Sequence, residues 1–297
     1  MSDTPLIFDT RQLLLQRERA SGNASSHDFL LHRVAEDFTE RLDVINRSFA
    51  NVLDVGAHHG LLGRAIAGRA GTATVISADP SPRMLAQCAS PRVLSELEAL
   101  PFGEATFDLV VSGLSLQLAN DLPGAFLQIR RCLKPDGLFL GALLGGTTLR
   151  ELHAAFLAAE AEIEGGVSPR VAPFADVRDL GSLLQRAGFA LPVVDADIVT
   201  VAYQTPLHLM REIRGMGGAN MLIERRRKPL RRATLMRAVE IYAERFARAD
   251  GRIIATFEIL TMTGWCPHDS QQKPLQPGSA KSRLADALGV PEQKSGD

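Results

Sequence analysis

The chain has 297 residues, 45% hydrophobic and 23% charged, enough to bury a sizeable core as one large domain or two. Its net charge of -1 excludes any global attraction to nucleic acid or an anionic membrane, so such a contact would have to be local. Cys88, Cys132 and Cys266 are too scattered for a disulfide framework or a zinc site, no run reaches the roughly 18 apolar residues of a membrane span, and a cytoplasmic protein is expected.

Residues 1–48 read as an N-terminal arm and helix. Pro5 to Phe8 is too short and too acidic in its flanks for a secretory leader, and Asp3 and Asp9 oppose reading Arg11, Arg17 and Arg19 as a transit peptide. Thr10 to Ala20 is expected to pack as an arm. Phe29, Leu30, Val34, Phe38 and Leu42 recur at helical spacing and mark an amphipathic helix leading into the first strand.

Residues 49–146 alternate strand and helix. Val52 to Val55 is an apolar strand, Gly56-Ala57-His58-His59-Gly60 a glycine turn, and the following helix runs to about Arg69. Ala73 to Ala78 is a second strand ending at Asp79, followed by a helix from Ser81 to Cys88. Phe107 to Ser112 is a strand, Leu122 to Leu133 a helix, and Lys134-Pro135-Asp136-Gly137 a turn into the strand Leu138 to Leu144. This alternation predicts a doubly wound, mostly parallel α/β sheet of the Rossmann-like kind.

Residues 147–266 continue the sheet and add lid helices. Leu149 to Glu164, Val177 to Ala187, Thr205 to Met216 and Leu230 to Arg248 read as helices, Phe189 to Tyr203 contains a strand, and Arg252 to Gly264 is the last one. Asp195 and Asp197 alternate with apolar neighbours, as on a solvated strand face. The cations Arg225 to Lys228, Arg231 and Arg232 lack interleaved aromatics, which favours a solvated loop over nucleic-acid binding. Residues 267–297 form a polar, partly disordered tail in which Ser282 to Leu288 adds a short helix.

A glycine turn between a buried strand and a helix is a nucleotide-handling device, because it lets backbone approach a ligand at a helix N-terminus. The Gly-x-Gly-x-x-Gly dinucleotide pattern is absent. Asp54, two residues before Gly56, suits a ligand with a cationic head, and Asp79 is spaced to accept ribose hydroxyls; each also reads as a helix cap. His58 and His59 are adjacent on a turn and point apart, which argues against a metal pair.

Asp54-Val55-Gly56, Asp79, Leu100-Pro101-Phe102, Phe107 to Ser112 and Leu133 to Gly137 together resemble a class I S-adenosylmethionine-dependent methyltransferase. The resemblance implies S-adenosyl-L-methionine as cofactor, with Asp54, Gly56 and Gly60 at its methionine part, Asp79 at the ribose, and Pro80, Glu96 and Leu97 at the adenine. His58 stands where that family has a glycine; a left-handed backbone there costs about 1–2 kcal/mol, near tenfold in affinity.

Ser115 to Pro123, Gly145-Gly146, Ser168 to Phe174, Arg186 to Phe189, Gly215-Met216-Gly217, Ala255-Thr256-Phe257 and Gly264-Trp265 are similar to bacterial counterparts of the mitochondrial complex I assembly factor that hydroxylates a protein arginine. That family is related to the malonyl-carrier-protein methyltransferase of biotin synthesis. The resemblance implies a protein substrate, a respiratory complex I subunit, with no nucleic acid partner and no membrane insertion. Gln117-Leu118 replaces the family's His-Trp and Gly218 an acidic residue. Gln117 and Tyr203 are the candidate catalytic residues, and no metal is expected, since no two-histidine, one-carboxylate spacing announces an iron site. Two alternatives stand beside hydroxylation: methyl transfer to a carrier-bound acyl group or small molecule, and a non-catalytic assembly chaperone with a weakened cofactor site.

Overall fold

Four strands deliver the chain to one edge: β1 (Asn51–Val55), β2 (Thr74–Asp79), β3 (Arg92–Leu94) and β4 (Phe107–Gly113). With β5 (Leu133–Leu144), β6 (Ala190–Tyr203) and β7 (Ile253–Trp265) they make a seven-stranded sheet in the order β3-β2-β1-β4-β5-β7-β6. This is a computed structural model, and it describes residues 6–272. β1 to β5 pair in parallel, whereas β7 runs antiparallel to both β5 and β6, so the sheet is mixed but mostly parallel, as the alternating pattern predicts.

Parallel strands must be covered on both faces, which is why β1 and β4 are nearly continuous apolar runs. On one face lie α2 (Phe29–Asp43), α6 (Arg150–Glu164) and α9 (Arg232–Phe246), which bury Phe38, Leu42, Phe156, Ile241 and Tyr242 with Val52, Leu109 and Leu140. On the other lie α5 (Leu122–Cys132) and α7 (Val177–Arg186), whose Phe126, Ile129, Leu180 and Leu184 pack on Leu53, Val110 and Phe139. Phe126, Phe139 and Phe189 form a ring series with centroids 5.8 and 5.6 Å apart. α1 (Thr10–Ala20), α3 (Leu61–Ala67), α4 (Pro82–Leu85) and α8 (Pro206–Gly215) complete the helices among the described residues.

Several local expectations change. Lys134 to Gly137 is not a free turn: β5 starts at Leu133, and the left-handed Asp136, at φ 62°, lies in a strand whose register with β4 shifts between Phe107 and Leu109. The helix expected from Ser81 to Cys88 shrinks to Pro82–Leu85, with Ser81 capping the Met84 amide. Asp195 and Asp197 do more than face solvent; they reach Arg41 and Arg33 of α2, each at 2.8 Å. In the basic stretch, Arg225 pairs with Asp9 at 3.0 Å and Arg226 with Glu164 at 3.0 Å. The expected helix Ser282 to Leu288 lies outside the described residues.

The arm is stitched down residue by residue. Phe8 bridges antiparallel to Leu222, and Asn120 Oδ1 accepts from the Ile7 and Phe8 amides at 2.8 Å. Its Nδ2 returns a bond to the Phe8 carbonyl at 3.1 Å. α1 is thereby fixed over the ends of β2 and β4.

Phe126 is fully buried between α5 and the sheet. Phe126→Ala should lower stability by about 3–5 kcal/mol in urea unfolding, combining lost transfer energy and a cavity; a loss under about 1 kcal/mol would contradict this packing.

Candidate active site

The C-terminal ends of β1, β2 and β4 converge on the glycine turn. Gly56, at φ 68°, and Ala57 donate their amides to the Ala78 carbonyl at 2.8 and 3.1 Å, which locks the turn to β2. A Cβ on Gly56 would overlap the Ser115 side chain and meet Leu97 at 3.1 Å, so the close approach that a glycine allows is used here by the protein's own side chains. Gly60, at φ 82°, opens α3, and a Cβ there would sit 3.0 Å from Cys88.

His58 does adopt the left-handed conformation, with φ 51°. Its ring turns into the crevice: Nε2 lies 2.8 Å from Ser115 Oγ and 3.1 Å from the Gly113 carbonyl. A carbonyl only accepts, so Nε2 carries the proton. Burial, then the nearby Arg17 charge, pushes the imidazole well below its ordinary range, and the ring is neutral. His59 points the opposite way, to Asp28 Oδ2 at 3.0 Å.

Asp79 is the hub. It has no solvent exposure; Oδ1 accepts from the Ser81 amide at 2.8 Å, and Oδ2 from the His58 amide at 3.0 Å and from Arg17 Nη1 at 2.6 Å. Arg17, itself 3% exposed, donates Nη2 to Ser115 Oγ at 2.9 Å, and Ser115 donates to the Gly56 carbonyl at 2.8 Å. Glu18, beside Arg17, accepts from Ser81 Oγ and from the Arg83 amide. Sequence reading passed over Arg17 as part of an arm. The signal was present: Leu13, Arg17 and Ala20 fall on one helical face, and that is the face buried.

The predicted residues separate into two groups. Gly56 and Leu97 meet beside Ser115, Asp79 bonds the turn at His58, Gly60 lies against Cys88, Pro80 is buried and Glu96 is exposed. Asp54 does not face the crevice: its carboxylate lies under α3, 3.2 Å from where a Gly63 Cβ would be, near Ser77. Both its oxygens are enclosed without a hydrogen bond. Burial, then the charge of Asp79, raises its pKa to about 7, which the Gly63 amide offsets only in part.

Beside the crevice is a cavity of about 340 Å³ lined by Leu30, Leu114, Leu152, Phe156, Phe174 and Ile213, with Arg17, His58, Gln117, Arg170 and Arg214 as polar members. Gln117 Nε2 donates to the Leu114 carbonyl at 2.8 Å, and its Oε1 is enclosed and unpartnered. Tyr203 is not brought to this cavity. It ends β6 and packs with the core on the α2 face, with its hydroxyl unpaired and its pKa raised by burial and by Glu212. Glu160 anchors the wall by accepting from the Ser168 amide at 2.7 Å and from Arg170, whose guanidinium stacks 5.0 Å over Phe156. No three histidine, cysteine or acidic side chains converge on one point among the described residues.

For an adenosyl cofactor, the polar set fits and the space does not. Asp79 and the glycine turn offer the polar groups, yet Arg17 bridges Asp79 to Ser115 and the His58 ring fills the space against Ser115 and Gly113.

A methyltransferase domain model matches residues 53–141. The mitochondrial arginine-hydroxylase NDUFAF5 of Danio rerio is 41% identical over 97% of this chain and 92% of its own length; the Homo sapiens protein is 41% identical over 85% and 74%. A malonyl-[acyl-carrier protein] O-methyltransferase of Methylovorus is 31% identical over 90% and 92%. Among solved structures, the YcgJ protein of Bacillus subtilis superposes with a TM-score of 0.56 at 14% identity, covering 80% of this chain and 99% of that one, a likeness of fold.

The buried Asp54 generates a pH signature. Its folded pKa lies above the 3.8 of an ordinary aspartate, so the folded state binds the proton more tightly, and stability falls as pH rises from about 4 towards 7. Asp54→Asn should flatten this part of the profile. Urea unfolding at about pH 5 and pH 8 checks it: equal slopes in wild type and variant would contradict the assignment.

Proposed function

The chain belongs to the methyltransferase superfamily, in the family of the arginine-hydroxylase NDUFAF5 and the malonyl-carrier-protein methyltransferases, and we propose that it is an arginine hydroxylase acting on a respiratory complex I subunit. The observation that carries this reading is 41% identity to the Danio rerio hydroxylase over 97% of the chain and 92% of that protein. The product gains one oxygen atom; with dioxygen as the co-substrate, the second oxygen would leave as water and a separate two-electron donor would be required. The substrate is a protein, and the reaction takes place in the cytoplasm.

S-Adenosylmethionine is the cofactor of this proposal. Asp79 would take the ribose, Gly56 and Gly60 shape the turn, and Pro80, Glu96 and Leu97 border the adenine. Asp54 supports the turn from beneath α3 and does not touch the ligand. Residues 49–146 then form the cofactor half, from which Gln117 faces the cavity, and residues 147–266 the substrate half. Tyr203 has no part in it.

The composition of the cavity favours a second reading. Its wall is mostly apolar, its lining cations include Arg214 and the Glu160-paired Arg170, and its one lining carboxylate, Asp28, is spent on His59. Such a wall suits an acyl chain with an anionic end better than a guanidinium, as in methyl transfer to a carrier-bound acyl group.

Mass spectrometry of the respiratory complex from a strain lacking this gene separates the two. Hydroxylation predicts an arginine lighter by one oxygen than in the parent strain; an unchanged arginine overturns it. A biotin requirement in the same strain supports acyl methyl transfer instead.

A further inference from the structure

Arg17 and His58 occupy hydrogen-bonding positions that the proposed cofactor needs. A carboxylate offers about four acceptor positions. On Asp79, the His58 and Ser81 amides fill one position on each oxygen, and these donors are fixed by the turn. A ribose presenting two hydroxyls needs two positions, so it must take the one held by Arg17 Nη1. The guanidinium also spans from Asp79 to Ser115, bridging the ends of β2 and β4 across the mouth of the crevice. The neutral His58 ring sits behind it, against the Gly113 carbonyl and Ser115 Oγ.

Neither side chain is there by default. α1 is held by the Asn120 clamp on Ile7 and Phe8, by the Asp9–Arg225 pair and by Glu18 on the Ser81 turn. These anchors hold α1 where Arg17 reaches Asp79. His58 likewise holds a left-handed backbone where glycine would be at ease.

We propose that Arg17 and His58 form an internal plug that competes with S-adenosylmethionine for Asp79 and the glycine turn, so that the cofactor binds only as Arg17 is displaced. The proposal rests on the reading of Asp79 as the ribose carboxylate. It makes the cofactor affinity of this chain a property of its N-terminal helix as much as of its turn.

Calorimetry with S-adenosylhomocysteine on the full chain tests it. Arg17→Gln and His58→Gly should each bind tenfold or more tighter than wild type, and Asp79→Asn more weakly. His58→Gly is the decisive variant should Arg17→Gln not fold, since glycine suits the left-handed position and leaves Asp79 paired. Tightening by either variant supports the plug. If wild type binds, Asp79→Asn does not, and neither plug variant gains affinity, the plug is overturned while the cofactor reading stands. If Asp79→Asn binds as well as wild type, or nothing binds, the cofactor reading falls and the plug with it.

Discussion

A carboxylate without contact with water must be surrounded by donors, and Asp79 is where this requirement organises the molecule. Asp79 ends β2, and the turn after β1, the turn into α4 and the N-terminal helix each contribute one donor to it. Removing any one leaves a buried acceptor short, which costs about 1–3 kcal/mol and more when the lost partner is charged. The arm is therefore part of the site's foundation and not a decoration on it. Burial raises the pKa of Asp54, and the charge of this hub on the neighbouring strand adds to it.

The fold was legible because parallel strands buried on both faces leave a plain apolar signature. Val52 to Val55 and Phe107 to Ser112 could hardly be anything else, and the turn residues between them set the order. The antiparallel entry of β7 was not legible, since an apolar run carries no direction. The loss of the Lys134 to Gly137 turn has a physical reason too: proline and glycine mark irregular backbone, and a strand absorbs that irregularity as a register shift when both neighbours hold it.

The site was half legible. Asp79 and the glycine turn follow from strand ends, which the hydrophobic pattern fixes. The enclosure of Asp54 beneath α3 was not legible, because two-residue alternation tells which face of the sheet a side chain takes but not that the helix after the turn folds over it. Arg17 was missed for another reason: a cation on a buried helical face reads as an error in the pattern until its distant acceptor is known. Tyr203 shows the converse, an apparent strand-end candidate that packs into the core on the α2 face and is not among the residues lining the cavity.

The bridge between Phe8 and Leu222 carries a temporal implication. Arg225 and Asp9, which pair beside it, lie 216 positions apart in the chain. Contacts of that span close late, because the entropy of so long a loop is recovered only after the intervening sheet exists. During synthesis, β1 to β5 can assemble while the first 20 residues still lack their far anchor. Until the final third of the protein arrives, α1 is held over the ends of β2 and β4 by Asp79, Ser81, Ser115 and Asn120 alone.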